Sequence, residues 1–418
     1  MNRPEPQTAG WAVLGLLAVI NLFNYYDRLL IVVVSQPLRI EFDLSDTDYG
    51  LLTGPAFVFV YALASLAFGV LADKHRRPAV IGWALGIWSA MTALTAFATS
   101  FVLLALGRAG VGVGEGGTNP AGMSLISDRY PPERRAMALA VFQAGGMVGM
   151  FLSFVVGSWL AATYGWRSVF LIAGIPGILL AIVAARLLPE PPRGQFDTGA
   201  QLSLSYGQAL RGLMRNRAYV WLTVAAAIGT FSSLGMLIWL PQFFIRLHGL
   251  DIKQVGFLFG PAAALGLCTG MLIGGWLSGR LARISLARPV LLCILANLAL
   301  VPLFLIVLWT SSLTLALALT FLAMALAVLY TAAFQSTMQT VCAPSVRASA
   351  AAMQNVMVAI IGQGLEPLLV GMLSDALRPA YGADALRWAL TGATGFSLIA
   401  GLMFIRAYAV TKRQLAAT

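Results

Sequence analysis

Charged residues are scarce in this sequence of 418 residues, because Asp, Glu, Lys and Arg together make up 10% of it. Soluble domains contain about one quarter charged residues. Hydrophobic residues make up 59%, and the mean hydropathy is +0.83. In a soluble chain the net charge of +11 would suggest binding to nucleic acid. Here the charges lie in short gaps between long apolar runs, so the composition predicts a membrane protein and excludes a nucleic-acid partner.

Cysteine and histidine are also rare. Cys268, Cys293 and Cys342 lie in or beside apolar stretches, and their odd number gives no disulfide framework, so we expect three free, buried thiols. The two histidines, His75 and His248, fall in predicted loops. No nucleophile elbow or metal-ligand cluster is present. The sequence therefore predicts a protein that is not an enzyme and needs no metal or organic cofactor.

Apolar runs long enough to span a membrane, about twenty residues, recur along the whole chain. They predict an all-α membrane protein with twelve transmembrane helices in two pseudo-symmetric six-helix bundles. The bundles are residues 1–188 and 217–418, and the polar, Pro- and Gly-containing stretch 189–216 is a cytoplasmic linker. Internal duplication of this kind is typical of transporters.

Lys and Arg are distributed unevenly between the two predicted sides of the membrane. Nineteen lie at the termini and on the side that the termini share, and six lie on the opposite side. The positive-inside rule therefore predicts a multi-pass protein of the plasma (inner) membrane with both termini cytoplasmic. The N-terminal apolar run has no cleavage site and is expected to remain as the first span.

A charged motif ends the predicted second span. It consists of Gly69, Asp73, Lys74, Arg76 and Arg77. This pattern resembles the loop motif of the major facilitator superfamily, in which the Gly permits close helix approach and the Asp and Arg latch one conformation. The copy has His75 within the loop, and the equivalent segment of the second half has Gly279 in place of the Asp. The alternative is a solvated basic loop that only obeys the positive-inside rule.

The first predicted span is interrupted by charge. Asp27 and Arg28 lie within it, where an uncompensated charge costs at least about 2.5–3.5 kcal/mol. Asn21, Asn24 and Arg28 share one face of a helix, whereas Asp27 lies about 100° away from Arg28. The two charged residues are therefore expected to contact different neighbours.

The fourth predicted span repeats this feature with Arg108 and Glu115. Because they are seven residues apart, both lie on one face of a helix, about 10 Å from each other. Together with the first-span pair they form a set of two acids and two arginines. Ionisable residues inside a membrane are functional by default, and a network that only locks the bundle is the alternative.

These residues carry a second resemblance. Asn24-Tyr25-Tyr26-Asp27-Arg28, Arg108 with Gly112-Val113-Gly114-Glu115, and Gly165-Trp166-Arg167-Ser168-Val169-Phe170 resemble the Spinster-like transporters. Similar charged pairs also occur in anion:cation symporters of the sialin and sugar-acid type. The resemblance implies that Asp27 and Glu115 couple transport to protons, and that Arg28 and Arg108 bind an anionic substrate.

Three further candidate substrate contacts and one further acid complete the predicted site. Asn24, Tyr25 and Tyr61 are expected to line the substrate cavity, although such residues more often serve in packing. Glu366 is a third intramembrane acid and a candidate proton or cation site, next to a helix-breaking proline. The alternatives are a protonated carboxyl without a role in transport and a carboxylate that reaches water at the membrane surface.

The sequence thus predicts a proton-coupled secondary active transporter that works by alternating access. The expected substrate is an anionic amphipathic molecule such as a lysophospholipid or a sphingoid phosphate. One alternative is a proton symporter of small organic anions such as sugar acids, and another is a passive lipid scramblase. Sodium remains an alternative coupling ion. Besides the small anionic or lipid-like substrate, the only partners expected are membrane lipids, and the protein is expected to be a monomer.

Overall fold

The computed structural model describes residues 7–193, 206–343 and 346–416. These residues are almost entirely helical and contain no strand, so the predicted all-α class is confirmed. Part of the predicted linker, residues 194–205, lies outside the described residues.

The α-helices are numbered in chain order. The first nine are α1 Gln7–Val33, α2 Ser35–Phe42, α3 Asp46–Thr53, α4 Pro55–Lys74, α5 Arg77–Thr95, α6 Phe101–Arg129, α7 Pro132–Leu152, α8 Ser158–Tyr164 and α9 Trp166–Leu187. The others are α10 Tyr206–Arg215, α11 Arg217–His248, α12 Ile252–Ile284, α13 Val290–Trp309, α14 Leu313–Val341, α15 Arg347–Met357, α16 Leu365–Tyr381 and α17 Ala385–Ala416. Two π-helical segments, Ser153–Gly157 and Val358–Gly364, join α7 to α8 and α15 to α16.

The chain forms two compact units. The first contains Met1–Leu44 and Pro55–Gly199, and the second contains Ser45–Gly54 and Ala200–Thr418. The sequence predicts that the chain changes from one bundle to the other only once, at the linker, whereas in the structure a short earlier segment also belongs to the second unit. The segment Ser45–Gly54, which includes α3, belongs to the second unit, although its chain neighbours on both sides belong to the first.

Ten candidate spans meet the length and hydropathy expected of a membrane crossing. Helix α6 falls outside those ten although it has 29 residues, and its glycines and charged side chains account for its low apolarity. The last candidate, Ser349–Ala416, covers both the α15–α16 crossing and α17. With these two additions, the described residues contain the twelve spanning segments that the sequence predicts. All three cysteines are free, but Cys268 is only half-buried, so the prediction of a buried thiol is wrong there.

Close helix packing in each unit depends on glycine. In the first unit, a Cβ atom at Gly149 of α7 would lie 2.1 Å from the carbonyl oxygen of Leu22 on α1. In the second unit, a Cβ atom at Gly274 of α12 would lie 2.0 Å from the carbonyl oxygen of Leu329 on α14. Small residues at such positions let backbones approach, which is how membrane helices gain van der Waals contact without help from the hydrophobic effect. Helix α1, which carries Asp27 and Arg28, is therefore packed closely against α7.

Candidate functional site

An ion pair joins α1 to α6 inside the first unit. Arg28 Nε and Nη2 both lie 2.8 Å from Oε2 of Glu115. The Glu115 side chain is fully buried, whereas 21% of the Arg28 side chain remains exposed. The arginine is therefore the member of the pair that another charged molecule can reach.

Asp27 contacts a different neighbour, as the helical spacing predicts. Its Oδ2 accepts a hydrogen bond of 2.6 Å from Thr92 Oγ1 on α5. Within the described part of the chain, Oδ1 has no hydrogen-bond partner, and the residue is only 5% exposed. This carboxyl group therefore has one hydroxyl donor and no ion pair in direct contact among the described residues.

Arg108 completes the charged set from the buried side of α6. The residue is 3% exposed, and its guanidinium lies 4.6 Å from the ring centroid of Phe57 on α4. It also interacts electrostatically with both Asp27 and Glu115. The structure thus brings all four predicted charged residues into one cluster, which we call the charge cluster (Asp27, Arg28, Arg108 and Glu115).

Aromatic rings surround the exposed member of the charge cluster. The Arg28 guanidinium lies 5.3 Å from the ring centroid of Tyr25, 5.2 Å from Phe57 and 4.9 Å from Tyr61. Such cation–π contacts stabilise a guanidinium that has left water. Asn24 is buried, and among the described residues neither polar atom of its amide has a hydrogen-bond partner. The structure therefore places Tyr25 and Tyr61, but not Asn24, in direct contact with a candidate substrate-binding arginine.

The charged motif at the end of α4 divides into a buried part and an exposed part. Arg77 is 2% exposed, and it lies 2.5 Å from Asp128 and 2.7 Å from Glu190. Its guanidinium also donates to Ser124 Oγ at 3.0 Å, and its backbone N–H donates to Glu190 at 2.7 Å. Arg77 therefore connects the start of α5 to the end of α6 and to the segment after α9.

The other motif residues lie at the surface. Asp73, Lys74 and Arg76 are exposed, and the guanidinium of Arg193 donates to the last carbonyl groups of α4. A Cβ atom at Gly69 would meet no described atom within 4 Å, so no close helix approach occurs there in this structure. The latch role of Gly69 and of the exposed charges stays a prediction.

Glu366, the third predicted acid, belongs to the second unit. The residue is fully buried, and a Cβ atom at Gly235 of α11 would lie 1.9 Å from its Cδ. Neither carboxylate oxygen has a hydrogen-bond partner within the described ranges. Glu366 therefore does not reach water in this structure, which removes one of the sequence-based alternatives.

Several contact residues were not singled out from the sequence, among them Phe57, Thr92, Ser124, Asp128 and Glu190. The positions of Asp128 and Glu190 in the sequence could have indicated their role. The whole chain has only 16 acidic residues, and an acid near the end of a span in a chain rich in arginine is expected to have a cationic partner. Thr92 carried no such signal, because a threonine in an apolar helix normally bonds its own backbone.

Comparison with known proteins gives a consistent assignment. Residues 17–365 match the model of the Major Facilitator Superfamily. An "MFS-type efflux pump" of Mycolicibacterium smegmatis is 30% identical over 93% of this chain and 90% of its own length. The "Sphingosine-1-phosphate transporter SPNS2" of Danio rerio is 27% identical over 89% of this chain and 77% of its own. The "Probable L-galactonate transporter" of Escherichia coli is 28% identical over 70% and 66%, respectively.

A solved structure agrees with these relatives. A bacterial homolog of the human lysosomal transporter Spinster superposes with a TM-score of 0.89 at 28% sequence identity, and the match covers 99% of both chains. The fold predicted from the sequence and the resemblance to the Spinster-like transporters are therefore confirmed.

Proposed function

Because this chain belongs to the major facilitator superfamily and is a transporter of the Spinster type, not an enzyme, we propose that it moves an anionic amphipathic substrate by proton-coupled alternating access. The observation that carries the proposal is the Arg28–Glu115 ion pair between α1 and α6. A lysophospholipid and a sphingoid phosphate are the substrate types that fit best.

The ion pair supports proton coupling through charge balance. While Glu115 is ionised, it neutralises Arg28, and both charges are tolerated in a region of low dielectric. When Glu115 takes up a proton, it becomes neutral and Arg28 loses its partner. The partly exposed guanidinium then gains most from binding an anion, so proton uptake and substrate binding favour the same state.

Asp27 is proposed as the second proton carrier of the charge cluster. Its carboxyl group has a single hydroxyl donor, Thr92, and interacts electrostatically with Arg108. Protonation of Asp27 would leave Arg108 with less compensating charge, in the same way that protonation of Glu115 does for Arg28. Arg108 is accordingly proposed as the second cation that a substrate anion engages.

The surroundings of Arg28 support an amphipathic substrate. A guanidinium that donates two hydrogen bonds suits a phosphate group well, and Arg28, at the edge of the charge cluster, is partly exposed. The aromatic rings of Tyr25, Phe57 and Tyr61 offer apolar surface beside it. The guanidinium can thus bind a charged headgroup while the rings contact an apolar chain. The relative from Danio rerio is named as a transporter of such a molecule, sphingosine-1-phosphate.

A small organic anion such as a sugar acid is the second candidate. It requires the same arginines for its carboxylate but no apolar surface. The relative from E. coli named as a probable L-galactonate transporter supports it, although that match covers less of this chain than the Spinster-type matches do. In this alternative, Asn24 and the hydroxyl groups of Tyr25 and Tyr61 would bond the substrate hydroxyls.

We propose that Arg77, with Gly69, Asp73, Lys74 and Arg76, controls exchange between conformations instead of binding substrate. The Arg77 contacts with Asp128 and Glu190 support this role, because they tie the ends of several helices together. Exposed charges on the same segment are available to form different contacts in another conformation.

The proposed location is the inner membrane with both termini cytoplasmic, on the basis of the Lys and Arg distribution. A single cysteine at exposed position His75 should be labelled by an impermeant thiol reagent only from the cytoplasmic side, in a background without the native cysteines. A cysteine at exposed position Lys253 is the matched control and should be labelled only from outside. Reversal of the two results would overturn the orientation.

Uptake into proteoliposomes tests the function as a whole. The purified protein is presented with lysophospholipids, a sphingoid phosphate and sugar acids, each with and without an imposed pH gradient. Accumulation of an amphipathic anion that depends on the gradient supports the proposal. If accumulation depends only on a sodium gradient, sodium and not the proton is the coupling ion. If lipid crosses the membrane equally well without either gradient, the protein is not a coupled transporter.

A further inference from the structure

A cavity of about 640 Å³ lies where α10, α11 and α17 meet in the second unit. Three arginines line it: Arg215 at the end of α10, Arg217 at the start of α11 and Arg413 in the last turn of α17. All three are exposed. Segments far apart in the sequence therefore place three positive charges around one open space, which we call the arginine cavity (Arg215, Arg217 and Arg413, with Gly212 and Val410 in its lining).

No carboxylate on the surrounding helices balances these charges. The sequences of α10, α11, α14, α15 and α17 contain no Asp or Glu. In the part of the chain that the structure describes, the three arginines form no ion pair. Arg211, one turn before Arg215 on α10, adds a further positive charge, and like charges four residues apart on a helix repel each other. A bound anion is therefore favourable in the arginine cavity.

Two amide side chains fix the frame of the arginine cavity. Asn216 Nδ2 and Gln414 Nε2 donate hydrogen bonds of 2.8 Å and 3.2 Å to the same acceptor, the carbonyl oxygen of Val341 at the end of α14. Each amide residue is adjacent in the sequence to arginines of the cavity. Because both amides bond one carbonyl group, the start of α11 and the end of α17 are tied together, and their arginines are preorganised around one cavity.

Helix α11 contributes its N-terminus as well. The helix begins at Arg217, and Asn216 caps it by accepting a hydrogen bond of 3.2 Å from the backbone N–H of Tyr219. The hydroxyl of Tyr219 donates to the carbonyl oxygen of Ala350 on α15 at 3.0 Å, which fixes this end of the helix. The positive end of a helix dipole favours a phosphate, so it adds to the attraction of the arginines.

Helix α10 packs on the second unit through its apolar face. Leu213 is 2% exposed and lies in the buried apolar cluster that also contains Tyr219 and Val341. The next residue, Met214, is 55% exposed. A short helix that carries arginines and also exposes an apolar side chain is typical of the boundary between membrane and water. We therefore expect the arginine cavity to lie at the level of the lipid headgroups.

The arginine cavity borders a lipid-facing surface of α17. Arg406 and Leu402 lie seven and eleven residues before Arg413, so all three share one face of the helix within about 20°. Leu402 is 56% exposed, and an exposed leucine in a spanning helix contacts lipid tails. A ligand with an anionic group in the cavity and apolar chains beside α17 fits this position. Such a ligand is a phospholipid and not a free phosphate compound.

The predicted orientation of the chain favours an anionic lipid. The Lys and Arg distribution predicts that this end of the second unit faces the cytoplasm, where the membrane surface is negatively charged. Basic pockets between spanning helices on that side bind lipid headgroups. The planar guanidinium group of an arginine also matches two oxygens of a phosphate.

We propose that the arginine cavity binds the phosphate of an anionic phospholipid, which stays bound to the protein and is not the transported molecule. This inference goes beyond the proposed function and does not rest on it. The residues of the arginine cavity are separate from those of the charge cluster, and the tests below require no transport.

Native mass spectrometry of the purified protein in detergent tests the proposal. The protein is titrated with phosphatidylglycerol, which has an anionic headgroup, and with phosphatidylcholine, in which a choline cation neutralises the phosphate. One molecule of phosphatidylglycerol should bind about tenfold more tightly than phosphatidylcholine. Soluble glycerol phosphate should displace it only at a much higher concentration, because it has no apolar chains. Equal affinity for the two lipids, or displacement by glycerol phosphate at an equal concentration, would overturn the proposal.

Removal of two arginines should weaken this binding. One Lys or Arg near an anionic lipid surface contributes about fivefold, so Arg217→Gln combined with Arg413→Gln should weaken phosphatidylglycerol binding about 25-fold. Arg283→Gln combined with Arg288→Gln is the matched control. It removes the same charge from exposed residues outside the cavity, on the same predicted side, and should change the affinity less than about twofold. Equal weakening by both double variants would show that the general charge of this side holds the lipid, and no site exists.

A change that fills the arginine cavity tests it without altering charge. A Cβ atom at Gly212 would meet no described atom within 4 Å, so Gly212→Leu fits, and its side chain should weaken lipid binding on the order of tenfold. Gly279→Leu on α12, where a Cβ atom also meets no described atom, is the control outside the cavity. Native affinity in Gly212→Leu would overturn the proposal. Arg28→Ala should retain the lipid, and its loss there would place the lipid at the charge cluster instead.

Discussion

Buried charge is handled differently at the paired residues of the first unit and at Glu366 of the second. In the first unit, Arg28 lies against Glu115, and Arg77 contacts both Asp128 and Glu190. The second unit also contains a buried pair, Asp46 with Arg246, but its Glu366 is buried without a hydrogen-bond partner among the described residues. A paired charge can remain ionised, and its partner is released when one member is neutralised. A lone buried carboxyl is stable only when neutral. The first arrangement suits binding of an anion, and the second suits storage of a proton.

The largest effect on stability is expected at Arg77. Arg77→Gln removes the cation that Asp128 and Glu190 share, and loss of one partner from a buried ion pair costs about 3–5 kcal/mol. The free energy of unfolding, measured by denaturant titration in mild detergent, should fall by that amount. Arg76→Gln is the control, because Arg76 is exposed and adjacent. Equal losses in both variants would show that Arg77 is not a buried anchor.

Removal of Arg28 should mainly affect binding. Arg28→Ala deletes the partly exposed cation, so affinity for an anionic substrate should fall about 100-fold, as for truncation of a charged hydrogen-bond donor. The double variant Arg28→Ala with Glu115→Gln removes the unpaired acid as well. It should regain stability in thermal unfolding but not affinity. If the double variant binds as well as the native protein, Arg28 has only a structural role.

The same substitution at Glu115 and at Glu366 compares a paired with an unpaired carboxyl. Glu115→Gln deprives Arg28 of its partner and should cost about 1.5–3 kcal/mol of unfolding free energy. Glu366→Gln resembles the protonated form already present and should cost less than about 1 kcal/mol. Denaturant titration at neutral pH distinguishes the two. The reverse order would mean that Glu366 carries the buried negative charge.

The smallest effect is expected at the exposed pair of Glu41 and Arg167, which lie 2.5 Å apart. The hydrogen bond from Arg167 is the main cause that lowers the pKa of the Glu41 carboxyl. The stabilisation of the folded protein by this pair is therefore fully present above about pH 4.3, the pKa of a glutamate in the unfolded chain. It is lost as the pH falls through the lower pKa that Glu41 has in the folded protein. Because both side chains are exposed, the contribution is at most about 1 kcal/mol. Glu41→Gln should flatten the acid limb of the stability curve slightly, and an unchanged curve would mean that the pair contributes nothing.

The sequence predicts the fold through features that are local. A run of apolar residues identifies a span, and charge between the runs identifies loops, so twelve membrane spans follow without tertiary information. The assignment of Ser45–Gly54 to the second unit does not follow. It depends on contacts such as Asp46 with Arg246, residues 200 positions apart, and neither residue stands out from other charges near span ends.

The candidate site is predicted in part for the same reason. Helical periodicity shows which residues share a face, so Arg108 with Glu115, and the separation of Asp27 from Arg28, can be predicted. Periodicity does not show which faces of different helices meet. The Arg28–Glu115 pair is therefore a finding of the structure, and so is the hydrogen bond from Thr92 to Asp27.

Transport by Glu115→Gln tests the central claim most directly. Proteoliposomes containing this variant or the native protein are supplied with the anion that the native protein accumulates in the uptake panel. Glutamine mimics the protonated acid but cannot release a proton, so accumulation driven by a pH gradient should be abolished. Counterflow exchange of the same anion should be retained, because exchange requires no net proton movement. If Glu115→Gln still concentrates the anion in response to a pH gradient, the Arg28–Glu115 pair is not the coupling device.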